Sequence, residues 1–169
     1  MKKTLLIILI LSFFNCASSK KNTNKTEQWI NNQNFTIKKP NSWRAVNNHG
    51  YISYTPLKKS KNLSNNVVSV FKFELKEKPN FKKFVKNQIE QTNQSLNITF
   101  QEVITKKGKL GETYIHKLES VWDKTKYKSE KVYFTHNDEY YFFNYSSLNQ
   151  NYKKHYKDAI SILNSIEFK

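Results

Sequence analysis

One cysteine, four histidines and thirteen carboxylates are the groups of this 169-residue chain best able to cut, ligate or transfer. Their spacing argues against most of that chemistry. His49, His116, His136 and His155 form no i, i+4 pair, the spacing that brings two imidazoles on one helix to one metal ion, and no second cysteine can complete a thiolate set. The plainer reading is four exposed or hydrogen-bonded imidazoles, with His49 and His136 in turn-like sequence. No metal or other cofactor is expected. The glycines of "GKLGET", from Gly108 to Thr113, suggest a phosphate loop, but the long Gly-x4-Gly-Lys spacing is missing and the segment lies between strand-like stretches. It reads as a turn. No Gly-x-Ser-x-Gly elbow is present. Glu112, Glu119, Glu130, Asp138 and Glu139 are scattered among lysines, and no carboxylate pair stands out; a pair drawn from distant positions stays open.

The aromatic stretch "EYYFFNYS" alternates Tyr140, Phe142 and Asn144 on one face with Tyr141, Phe143 and Tyr145 on the other. Two aromatic faces ordinarily mean a central strand covered on both sides. The functional alternative is an exposed aromatic surface, with Tyr141, Phe143, Tyr145 and the strand-end Trp122 touching a partner or ligand. Trp43 reads as core, and Trp29 as either core or surface.

Cys16 has the most telling position. Lys2 and Lys3 precede Leu5 to Phe14, a run apolar but for Ser12. As a helix that run spans roughly 15 Å, about half a bilayer core, so it is short for a membrane span and suits a secretory signal. It ends Phe13-Phe14-Asn15-Cys16, followed by Ala17-Ser18-Ser19. This order resembles a bacterial lipoprotein signal. The resemblance implies removal of residues 1–15 and a diacylglyceryl group on the sulfur of Cys16. Phe13, Phe14 and Asn15 depart from the leucine and small residues of the common box. The plainer alternative is a free thiol beside an uncleaved anchor. A lone thiol in an oxidising compartment is a liability without a disulfide partner; lipidation explains both its place and its solitude. Two or three acyl chains together anchor stably where one does not. Residues 16–28, "CASSKKNTNKTEQ", show no apolar period and read as a flexible tether.

The formal charge is +16, and +14 once residues 1–15 are removed. No nucleic-acid partner is inferred from it. Arg44 is the single arginine, and arginine forks are what read phosphates and bases bidentately. Abundant Asn, Ile, Phe, Tyr and Lys, with few Ala, Gly and Pro, fit an AT-rich coding bias. Lysines 58, 59 and 61, and lysines 124, 126 and 128, form two local concentrations; alternation puts Lys126 and Lys128 on one face. The loop lysines are expected to be mobile and solvated. Any attraction to anionic lipid is expected to be a salt-screened aid to the acyl anchor.

Residues 29–169 read as one domain. "FTIKKPNSW" gives a short strand ended by Pro40, and strands at about 43–47 and 51–55 flank a turn. A further strand runs from Val67 to Leu75. Asn80 is placed to cap a helix whose inner face carries Phe81, Phe84, Val85, Gln88, Ile89 and Thr92. Four strands follow at about 99–106, 112–122, 127–135 and 140–146, with "HNDE" as a tight hairpin. A last helix over about 150–163 carries the stripe Tyr152, Tyr156, Ala159, Ile160 and Leu163, and "SIEF" adds an edge strand.

That order, with "FTIKKPNSW", "YISYTP" and "EYYFFNYSS" leading into "YKKHYKDAISILNSIEF", resembles the PsbP-like fold shared with the bacterial DcrB-like lipoproteins. The resemblance covers roughly residues 35–169. It implies an α/β (α+β) sandwich, an antiparallel sheet flanked by helices, and brings no active site. The expectation is a lipid-anchored, non-enzymatic accessory or protein-binding domain of the bacterial envelope. Its partners are the membrane, through Cys16, and an unidentified envelope protein. "ASSKK" carries neither an aspartate retention signal nor an acidic export tag, which points to an outer-membrane lipoprotein facing the periplasm. The alternatives are an envelope hydrolase, or a small-ligand or lipid carrier with an apolar cavity near Phe142 or Phe143.

Overall fold

The computed structural model describes residues 35–48, 51–57 and 65–169. Cys16, the stretch 17–28, Trp29, His49 and lysines 58, 59 and 61 lie outside the described residues. The described chain runs β1 (Phe35–Thr36), β2 (Trp43–Asn48), β3 (Tyr51–Pro56), β4 (Val67–Lys72), α1 (Phe81–Ser95), β5 (Asn97–Gly108), β6 (Gly111–Trp122), β7 (Thr125–His136), β8 (Glu139–Leu148), α2 (Asn149–Asn164) and β9 (Glu167–Phe168). Seven strands form one sheet in the order β2-β3-β4-β8-β7-β6-β5, every neighbour antiparallel. β1 and β9 form a separate two-stranded ribbon.

Period-two alternation decides which face each helix covers. Val68, Val70, Val132, Phe134, Tyr141, Phe143 and Tyr145 point to one face, where they bury against Tyr152, Ala159 and Ile162 of α2 and Ile166 beyond it. Tyr133 and Tyr140 point to the other, where they meet Phe84 and Val85 of α1, with Phe73, Tyr114 and Phe142 packed alongside. The result is a three-layer α+β sandwich with β8 covered on both faces. Trp43 joins the α2 side, and its indole N–H donates to Asp158 at 3.1 Å.

Asn80 caps α1 as its position implies, its side-chain oxygen accepting from the Lys82 amide at 3.0 Å. β4 stops at Lys72, three residues short of the expected strand. The Phe73 amide bonds Tyr140 O, and the chain then leaves the ladder; Phe73 and Leu75 pack under α1 instead. In α2 the buried stripe is Tyr152, Ala159 and Ile162, with Ile160 only half-buried where the expected stripe had it inward. "GKLGET" spans the β5–β6 turn. Lys109, at its tip, donates to the carbonyls of Asn164 and Ile166 and so satisfies the end of α2. No helix among the described residues is long and apolar enough to cross a membrane.

Candidate functional site

The sheet is wider than the helix that covers it. α2 packs on β8 and β7 and leaves much of β6 and β5 open on that face. The register there lines up Glu102, Lys117, Glu130 and Tyr145 across β5, β6, β7 and β8. Beside that row runs another: Phe100, Glu119, Lys128 and Ser147. The first half of α2 overhangs these rows and makes a groove of about 530 Å³. Tyr152, Lys153 and Tyr156 form one wall, Lys117, Lys128 and Glu130 the floor, and Phe100 and Glu102 the outer rim.

Glu130 is the unusual group. It is only 4% exposed, yet a single hydrogen bond reaches it among the described residues, from Tyr156 Oη to Oε2 at 2.9 Å. Lys117 stands opposite it in the register, but the Lys117 ammonium lies 3.9 Å from Glu102 instead. Lys128 is held 2.9 Å from Glu119 and sits 5.5 Å above the Tyr152 ring. Beneath them Tyr145 donates to the Tyr152 carbonyl at 3.0 Å, and the three tyrosine rings cluster. Burial, and then the charge of Glu130, push the Tyr156 phenol up to about 12 and the Tyr152 phenol higher still. At neutral pH both keep their protons. They serve as hydrogen-bond donors and aromatic walls, and neither is poised as a base or nucleophile.

The face under α1 holds a different polar row. Val46, Ser53, Ser69, Asn144, Lys131, His116 and Val103 align across all seven strands. Ser53 and Ser69 hydroxyls meet at 3.0 Å. Lys131 donates to Thr92 Oγ1 at 2.9 Å, and burial lowers the Lys131 ammonium to about 8. His116 is fully buried; Nε2 donates to Gln101 at 3.2 Å, and Nδ1 has no partner among the described residues. Burial, and then the charge of Lys131, lower its imidazole to about 4, so it is neutral. Among the described residues no group of three or more His, Cys, Asp or Glu could hold a metal ion.

The residues picked out from the sequence part company here. Tyr141, Phe143 and Tyr145 are 3%, 0% and 0% exposed, so they fill the core and offer no surface. β8 is central and covered on both sides, which is the ordinary reason for a two-faced aromatic run. Trp122 is 71% exposed at the tip of the β6–β7 hairpin. Phe143 sits in a filled core beside Val70 and Val132, and the groove lies at the first half of α2 rather than beside it. His136 stacks on Phe168, ring centroids 3.8 Å apart, and pins β9. Glu130, Tyr152 and Tyr156 were not singled out as a site. Their one available signal is phase: Glu130 falls in step with Val132 and Phe134 at period two, so a carboxylate occupies an inward-facing position.

No protein-family model matches this sequence, and no curated protein matches it. Solved structures do. The solution structure of cyanobacterial PsbP (CyanoP) from Synechocystis sp. PCC 6803 aligns at TM-score 0.56 and 10% identity, over 82% of this chain and 88% of that one. The crystal structure of LpqN, involved in cell envelope biogenesis of Mycobacterium tuberculosis, aligns at TM-score 0.63 and 8% identity, over 80% and 83%. The described residues therefore have a PsbP-like fold, as the order of elements implied.

Proposed function

We propose that this chain is an accessory protein of the bacterial envelope, anchored by lipid on Cys16, whose PsbP-like domain acts by binding a partner protein. The order of Lys2 to Ser19 supports the anchor, and the lack of a retention or export tag in "ASSKK" supports the periplasmic face of the outer membrane. The fold shared with LpqN is consistent with an envelope setting.

The observation that carries the binding reading is the uncovered wing. β5 is twelve residues long and forms the outer edge of the sheet among the described residues. Phe100 is 49% and Val103 47% exposed on its two faces, and Trp122 lies at the tip of the neighbouring hairpin. Long apolar edges invite a partner strand unless they are blunted. Here only a bulge between Ile98 and Phe100 and the charges of Glu102, Lys106 and Lys107 interrupt the edge.

The test is photo-crosslinking in intact cells with a photoreactive phenylalanine at Val103, and with the same residue at Lys83 on α1 as the control. One discrete adduct from Val103 and none from Lys83 is expected. Equal, diffuse labelling from both positions would count against a partner on this edge.

A further inference from the structure

The groove under α2 contains charges of both signs that do not cancel one another. Glu130 is 96% buried, by its 4% exposure, and lines the groove; Oε2 is taken by Tyr156, and no donor from the described residues reaches Oε1. Answered inside the protein by one neutral hydroxyl, the carboxylate keeps a free acceptor for a donor that enters the groove. At the other end, α2 begins without a cap. Leu148 occupies the N-cap position, no side chain accepts from the first turn, and that turn carries no acid. Asn149 and Gln150 of that turn line the groove, where open amides and the helix dipole favour an anion. Lys153, on the same wall, makes no ion pair among the described residues, whereas Lys117 and Lys128 are committed to Glu102 and Glu119.

We propose that this groove binds a small zwitterion, its ammonium taken by Glu130 and its anionic group by Lys153 and the open first turn of α2. A purely anionic ligand would set its charge against Glu130. A purely cationic one would meet Lys153 and the positive end of the α2 dipole. A molecule carrying both charges answers both ends. The rings of Tyr152 and Tyr156 give an ammonium an aromatic wall, and about 530 Å³ suits a small molecule. The chemistry fits a phosphoethanolamine headgroup or a free amino acid or dipeptide. This inference rests on the binding reading of the domain, but not on the β5 edge or the lipid anchor. Loss of the Val103 crosslink and loss of ligand binding are therefore separate outcomes.

The test is isothermal titration of the full-length protein in non-ionic detergent with glycerophosphoethanolamine and with alanyl-alanine. Glycerol 3-phosphate and ethanolamine serve as half-molecule controls. Saturable binding of at least one zwitterion is expected, with each half-molecule at least about tenfold weaker. Preference for glycerophosphoethanolamine assigns the headgroup; preference for the dipeptide assigns the amino-acid class. Glu130→Gln should weaken binding about tenfold or more, and Lys153→Glu should weaken it several-fold while leaving the unfolding transition in place. Lys153 is exposed, so this second variant keeps the test valid if Glu130→Gln fails to fold. The proposal is overturned if neither zwitterion binds below about 10 mM. It is equally overturned if glycerol 3-phosphate alone binds as well, or if Lys153→Glu binds like the parent.

Discussion

At the scale of single residues, the consequential groups are buried and polar. His116 is neutral in the folded protein because burial, helped by Lys131, lowers it to about 4. The unfolded chain takes up that proton first, near the ordinary imidazole value of about 6.5. The stability His116 contributes is therefore present above about pH 6.5 and is lost as pH falls toward 4, by at most about 3 kcal/mol. Urea midpoints at pH 7 and pH 4.5 should draw apart, and His116→Gln should narrow the gap. An unchanged gap in that variant would place the acid sensitivity in other groups. Tyr156→Phe tests Glu130 from the other side. It removes the one donor among the described residues that reaches the buried carboxylate, and should cost about 1–3 kcal/mol of stability in urea unfolding. A neutral result would mean that water already serves that oxygen.

At the scale of elements, caps and turns offer sharper tests than the core. Asn80→Ala removes the α1 cap and should destabilise by about 1 kcal/mol in thermal or chemical unfolding. The β6–β7 and β7–β8 hairpins turn through Asp123-Lys124 and Asn137-Asp138, all four with positive φ. Asn and Asp tolerate that geometry, but Lys124 at φ 60° does not tolerate it well. Lys124→Gly should therefore stabilise the protein by about 0.5–1 kcal/mol, and a loss instead would show that the lysine side chain has a role at the tip. These same features made most of the fold legible beforehand. Period-two runs marked β5 to β8, the pair Asn137-Asp138 marked a tight hairpin, and Pro79-Asn80 marked the start of α1. The groove was not legible. It exists because β4 joins β8 across more than sixty residues of intervening chain, leaving β5 and β6 beyond the reach of α2. Glu130 and Tyr156 meet 26 residues apart through that arrangement, and no local pattern encodes it.

At the scale of the whole molecule, charge and anchoring have to be separated. Lys126 and Lys128 do share a face, but Lys128 is engaged by Glu119, so the pair is a smaller free charge than the sequence suggests. Lysines 38, 72, 78, 86 and 117 also have acidic neighbours. Each lysine left near an anionic surface adds at most about 1 kcal/mol of attraction, and salt screens it. Protein lacking the acyl group should bind anionic vesicles weakly and leave them in moderate salt; tight, salt-resistant binding would make lipid itself the ligand. In the proposed reading, stable membrane residence rests on lipid at Cys16. The measurement that tests the account most directly is membrane fractionation of the parent and of Cys16→Ser, with the intact mass of each. The account predicts a parent that starts at an acylated Cys16 and sediments with membranes, and a variant that lacks the acyl mass and is released. A Cys16→Ser protein that stays in the membrane with the same mass shift would contradict it.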